Sequence, residues 1–192
     1  MKNTIKTLTL VALVAIITLS FTKIVTEKKI IKTENSTVVW KGYKVTGSHE
    51  GTINLKSGSL NFEENALSGG EFVIDMTTIV NTDMEGEYKG KLEGHLKSDD
   101  FFGIENFPSS TLVFTSVNAK GKNSYVVTGD LTIKGKTNPI TFEISIYGNK
   151  ATASLKIDRT KYDIKYGSSN FFDDLKDKAI YDEFDLVVDL QF

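Results

Sequence analysis

Histidine, arginine and paired carboxylates are the side chains of this 192-residue chain that could carry chemistry, and each has a competing structural use. His95 sits in Gly94-His95-Leu96, ahead of Asp99-Asp100. A histidine works as a base or metal ligand beside a second group that shares the proton or the ion. Cysteine is absent, and the other histidine, His49, lies far away in sequence. The expected role of His95 is therefore structural, a hydrogen bond to loop backbone that fixes the segment after it. Asp99-Asp100 could form an acid–base or metal pair, but it reads first as a polar turn capping the backbone before Phe101. The fork of Arg159 matches an oxyanion such as a phosphate, and an ion pair with Asp158 or Asp163 would use it equally well. The acidic run Asp173, Asp174, Asp177, Asp182, Glu183, Asp185 suits a solvated face or weak calcium binding. No coherent nucleophile or acid–base set emerges, so no catalytic residue, metal site or cofactor is assigned.

The elements that must position these residues belong to an ordinary globular composition. Hydrophobic residues are 40% of the chain, which excludes both a disordered and a polytopic membrane protein. A net charge of -2 argues against a broad electrostatic grip on nucleic acid. Lys2 and Lys6 precede an apolar run from Leu8 to Phe21. A basic start and an apolar stretch of this length fit a secretory signal over residues 1–22, being short of the roughly 20 apolar residues of a spanning helix. Bulky Phe21 spoils the small-x-small cleavage pattern, so an uncleaved anchor is the alternative. An exported chain is expected, with room for peripheral or anchored membrane association. Residues 23–36 are mixed and charged and read as a tether, and residues 37–192 as one domain held by its core alone.

That domain reads as strands interrupted once by a helical period. Tyr88, Leu92 and Leu96 recur four apart and would give a helix one apolar edge, with Lys89, Lys91 and Glu93 toward water. Thr82 or Asp83 could cap it, with Met76 to Asp83 leading in. Phe101, Phe102 and Phe107 come next in a loop closed by Pro108, which together with the helix forms a plug for one end of a β-structure. Elsewhere alternation dominates, as in Ile140, Phe142, Ile144 and Ile146. Turns are expected around His49 between Gly47 and Gly51, at Ser57-Gly58, Glu64-Asn65, Lys120 to Asn123, Gly135 to Pro139 and Gly148-Asn149. A long loop spans Arg159 to Lys178, where Phe171-Phe172, like Phe101-Phe102, could line an entrance or pack beneath. The sum is all-β: an antiparallel barrel or sandwich of about eight or nine short strands, with a short helix and aromatic loop.

Three blocks in this order resemble the YceI-like family: Gly94-His95-Leu96-Lys97-Ser98-Asp99-Asp100-Phe101-Phe102 with Phe107-Pro108 and Phe114, then Gly129 to Thr137 (GDLTIKGKT), then Asp158-Arg159-Thr160-Lys161-Tyr162. The resemblance covers roughly Val38 to Leu190. After it, Tyr162-Asp163-Ile164 departs from the family's usual Phe-Gly-Ile by adding a charge. The resemblance implies a lipocalin-like antiparallel β-barrel that holds a long apolar lipid, a polyisoprenoid or isoprenoid quinone, and a periplasmic location. Trp40, Phe72, Ile74, Phe114, Leu131, Phe142 and Phe184 would be core in any barrel. With Tyr88, Leu92, Leu96, Phe101 and Phe102 they become the candidate lipid contacts, and His95 and Arg159 the residues that meet a head group or fix the plug. An eight-stranded barrel can be filled by side chains or hold one ligand. Two rivals therefore remain: a structural or adhesion barrel with a solid core, and an enzyme acting on a lipid.

Overall fold

Strands with one apolar face bury it by curling the sheet until its edges meet. The computed structural model, which describes residues 25–192, shows that closure; residues 1–22, read as a signal or anchor, lie outside the described residues. The strands are β1 (Thr26–Ile30), β2 (Thr37–Lys44), β3 (Gly47–Glu63), β4 (Ala66–Asn81), β5 (Ser109–Ala119), β6 (Ser124–Ile133), β7 (Lys136–Tyr147), β8 (Lys150–Asp158) and β9 (Glu183–Gln191), with helix α1 (Gly86–Lys97) between β4 and β5. Every pairing is antiparallel, and β2–β9 with β3–β4 closes an eight-stranded barrel.

The segment 23–36 is not a free tether in its described part. β1 pairs with the far half of β3, Thr26 opposite Glu63 and Ile30 opposite Ser59. Buried Ile31 then donates its N–H to Gly58. β3 is long because Ser57-Gly58 is no turn: the strand passes through them with a bulge near Leu55. Gly58 is there for close approach, since a Cβ would stand 2.7 Å from the Phe72 ring. The turn expected around His49 lies earlier, at Val45-Thr46, and His49 is in β3. β7 likewise starts at Lys136, and the turn is the pair Lys134-Gly135, both at positive φ. Glu64-Asn65 turns in the same conformation. Pro139 fits inside β7 because β8 pairs β7 only from Glu143 onward, leaving that edge free.

The chain order divides the barrel into two ends. The hairpin 45–46, the segment 82–108, the hairpin 134–135 and the loop 159–182 gather at one end; the turns 64–65, 120–123 and 148–149 and the C-terminus gather at the other. The second end is solid. Phe114 lies between Phe72 and Phe142, with ring centroids 5.6 and 5.8 Å away, and Leu60, Val127 and Ile144 are fully buried around them.

Gly51 joins the first end to its neighbours. It pairs with Trp40 on one side and Asn81 on the other. A Cβ would lie 1.9 Å from the Val80 carbonyl and 2.7 Å from the Trp40 ring, whose Nε1 donates to that same carbonyl at 3.1 Å. Gly51→Ala is expected to cost about 2–3 kcal/mol by overpacking, read as a lower urea midpoint at unchanged slope. A change within about 0.5 kcal/mol would mean that the Val80 carbonyl and Trp40 shift together at little cost.

Candidate functional site

The site is built at the first end by a plug and a clamped loop. β4 reaches Asn81 rather than stopping near Asp75, because extra residues bulge between Asp75 and Val80: Asp75 pairs with Asn54 and Val80 already with Thr52. Thr78 Oγ1 ties the bulge to the backbone N–H of Asn54. The bulge turns both Met76 and Ile79 inward. Asn81, fully buried, fastens the link from β4 to α1. Its Nδ2 donates to the Glu50 carbonyl (3.0 Å) and to Asp83, its Oδ1 accepts from the Met84 N–H (2.9 Å), and its own N–H bonds Glu93 of α1 (2.9 Å). Neither Thr82 nor Asp83 caps α1; extended Glu85 precedes the helix without a side-chain cap bond. Asp83 instead meets His49 Nδ1 at 3.3 Å.

Leu92 and Leu96 turn into the barrel, as the apolar edge requires. Tyr88 does not: it is 71% exposed, with Lys91 5.6 Å from its ring, because the first turn of α1 stands clear of the rim. Ser98 ends the helix, its Oγ bonding the His95 carbonyl, and the N–H groups of Phe102 and Gly103 fold back to Leu96 and Ser98. These bonds drive Phe101 and Phe102 into the interior, where both are buried. Asp99-Asp100 is the exposed turn between, with the Asp99 carbonyl accepting from Lys134 at 2.6 Å.

Arg159 clamps the long loop. It is buried, and it donates through Nε to Tyr181 O (3.1 Å), through one terminal nitrogen to Ile164 O (2.7 Å), and through the other to Ile180 O (3.0 Å) and Asp182 (3.4 Å). Its ionic partner is thus Asp182, not Asp158 or Asp163. Asp158 caps Thr160, and Asp163, left-handed at the end of the 3-10 turn, pairs outward with Lys165. Burial pushes the Arg159 guanidinium below its ordinary pKa, opposed by Asp182 and Asp158. Burial also pushes the Tyr162 phenol up to about 12.

Under this plug lies an apolar cavity of about 300 Å³, open beside the 45–46 hairpin. Of the residues singled out in the sequence, Trp40, Ile74, Leu92, Leu96, Phe101, Phe102, Leu131, Phe184, His95 and Arg159 line it. Phe72, Phe114 and Phe142 do not: they form the solid layer below, where their rings fill the barrel. Val38, Met76, Ile79, Ile133, Ile157 and Leu186 line it as well and were not singled out. Lys44, Tyr43, His49 and Tyr181 form its rim.

His95 holds the plug by packing, not by a hydrogen bond to loop backbone. Its ring meets Tyr166 edge-on at 4.4 Å and Phe101 at 5.4 Å, and Nε2 is buried without a hydrogen-bond partner. Aromatic faces of this kind accept N–H groups weakly. His95→Ala is expected to lower stability by about 1–2 kcal/mol, read as a lower melting temperature. Unchanged stability would show that the plug is held without its ring. At the mouth, burial alone would raise the Asp83 pKa, but hydrogen bonds from Asn81 and His49 outweigh it and hold the carboxyl below its usual value. Its contribution to stability is therefore complete above the unfolded carboxylate pKa, near 4, and fades as pH falls below it toward the lowered folded value. Asp83→Asn should flatten the acid limb of a stability–pH curve in that window, and an unaltered limb would remove Asp83 from it.

Known proteins resemble this chain in sequence and in fold. The model of the YceI-like domain matches residues 30–192. This chain belongs to the YceI family. A UPF0312 protein of Shewanella denitrificans is 32% identical over 98 residues, 51% of this chain and 49% of that one. Protein YceI of Salmonella arizonae is 30% identical over 98 residues, again 51% and 49%. The chain spans about half the length of the curated relatives it matches. Solved structures share the fold. BcnA of Burkholderia cenocepacia aligns with a TM-score of 0.66 at 21% identity, covering 83% of this chain and 98% of that one. A polyisoprenoid binding domain from Saccharophagus degradans aligns at 0.56 and 15% identity, covering 88% and 99%. The YceI-like expectation of a lipocalin-like barrel with a short helix is thereby met in family and in architecture.

Proposed function

We propose that this YceI-family barrel binds an isoprenoid-type lipid, sequestering or carrying it outside the cytoplasm, without catalysis. The observation that carries the reading is the open cavity whose walls are almost wholly aliphatic and aromatic. A solid barrel would have no reason to leave it, since unfilled apolar volume costs about 24 cal/mol per Å³. The similar domain described as polyisoprenoid binding supports the ligand class. A cavity of about 150 Å³ takes a benzene ring, so this one takes roughly a dozen carbon atoms, about two isoprene units. At about 0.8 kcal/mol per buried CH₂-sized group, that segment supplies roughly 10 kcal/mol gross, before the cost of ordering the chain. The rest of a longer chain leaves through the mouth. Arg159, with Nε and both terminal nitrogens bonded to loop carbonyls and Asp182, serves the plug rather than a phosphate head.

Native mass spectrometry of the purified protein, with organic extraction afterwards, tests this. A prenyl-chain lipid near one per protein is the expected result. Protein that retains no lipid and takes up none from a prenyl-lipid dispersion would return the reading to a structural barrel. Chemically altered lipid after incubation would favour an enzyme.

A further inference from the structure

We infer that the rim of the open end is a docking surface for a neutral lipid bilayer, an inference that rests on the reading of the cavity as a lipid site. Phe171, Phe172, Tyr166, Tyr181 and Val45 are each about half exposed at this end. Phe171 and Phe172 neither line the cavity nor pack beneath their loop. The loop that displays them is firmly held. Arg159 binds it from below, Ile180 N–H bonds Gly167 O at 2.8 Å, and both Phe N–H groups bond the carbonyl of fully buried Ser168. Val45 N–H to Ala179 O and Tyr181 N–H to Tyr43 O sew it to the hairpin beside the mouth. Two adjacent phenylalanines kept in water by a braced loop form a patch that gains free energy when covered.

Two features choose the bilayer as the cover. Tyr181 belongs to both the patch and the cavity wall, so the patch borders the opening through which a water-insoluble chain must pass. The residue types suit a membrane interface, tyrosine at head-group level, phenylalanine as the inserting apolar group, and amphipathic lysines. Lys165 lies 5.1 Å from the Phe171 ring while its charge pairs with Asp163. The charge balance sets the lipid class. Residues 163–182 hold three lysines and five aspartates, so an anionic head group gains nothing here and the contact is aromatic.

The test places tryptophan reporters in the full chain, Phe172→Trp at the rim and Tyr147→Trp at the opposite end, where Tyr147 is exposed. Emission of the unmodified protein, from Trp40, is subtracted from each. Phosphatidylcholine vesicles with brominated acyl chains are added, free of isoprenoid lipid. Residue 172 should shift blue and be quenched while residue 147 is not. Added phosphatidylglycerol should not strengthen the effect, and Phe171→Ser with Phe172→Ser should lower the rim-specific quenching of a Tyr181→Trp reporter about tenfold. Quenching at 147 alone, at neither position, or only with anionic lipid would overturn the inference. So would a blue shift at 172 that tracks protein concentration without vesicles, which means a second copy covers the patch. Lipid retention in the mass spectrum is read separately, so a failure of docking with lipid retained sinks this inference alone.

Discussion

Replacing Arg159 by leucine is expected to destabilise the protein by about 3–5 kcal/mol. The side chain is buried, and its fork fixes three backbone carbonyls, Ile164, Ile180 and Tyr181, besides Asp182. Leucine would leave those three carbonyls without their donor and Asp182 with Asn170 Nδ2 alone, at about 1–3 kcal/mol for each acceptor that stays buried. Relaxation of the loop into water limits the total, so the loss should appear partly as local opening. Arg159→Lys should recover less than half, because a single ammonium cannot reach acceptors set around a planar fork. The checks are urea unfolding and amide hydrogen exchange of Ile164 and Ile180. Leucine at 159 with full stability and unchanged exchange would show that the loop is held from elsewhere, by the hairpin contacts of Val45 and Tyr181. The effect on the cavity should track the loop: Phe101 rests 5.6 Å from the guanidinium and would lose one wall of its seat.

Arg159 also shows where sequence reasoning stopped. Its type announced a strong donor, and its neighbours Asp158 and Asp163 were the partners in reach along the chain. The real partners are the Ile164 carbonyl close by and Ile180, Tyr181 and Asp182 some twenty residues on, brought together by a loop without periodicity. Alternation, by contrast, predicts strands well, since each inward residue fixes its neighbours' faces. Turn positions were legible where glycine or asparagine sat in the turn itself, as at Glu64-Asn65 and Gly148-Asn149. They were misplaced where a glycine served a close approach instead, as Gly58 does beneath Phe72. Met76 and Ile79 escaped notice because the bulge between Asp75 and Val80 breaks the period of two. The division into a solid and a hollow half was not legible at all. Phe72 and Ile74 share a face two residues apart, yet one belongs to the aromatic layer and the other to the cavity wall. Alternation tells inside from outside, whereas height along the barrel axis comes only from register.

That division makes the second large prediction. Ile74→Trp should fill part of the cavity and weaken lipid binding about a hundredfold, with stability kept or raised. The indole would displace three or four carbon atoms of ligand at about 0.8 kcal/mol each, close to 3 kcal/mol of affinity. Stability should not fall, because Ile74, packed against the core on one side, borders open volume on the other, and filling apolar space is favourable. Phe114→Leu supplies the opposite case. Its ring is wedged between Phe72 and Phe142, so truncation should cost about 1–3 kcal/mol of stability and leave lipid affinity unchanged. Titration with a fluorescent prenyl analogue and thermal unfolding of both variants separate the two effects. If Ile74→Trp binds as well as the parent while Phe114→Leu loses ligand, the lipid occupies the aromatic half. The layer of Phe72, Phe114 and Phe142 would then have to part to admit it, and the open cavity would be only its vestibule.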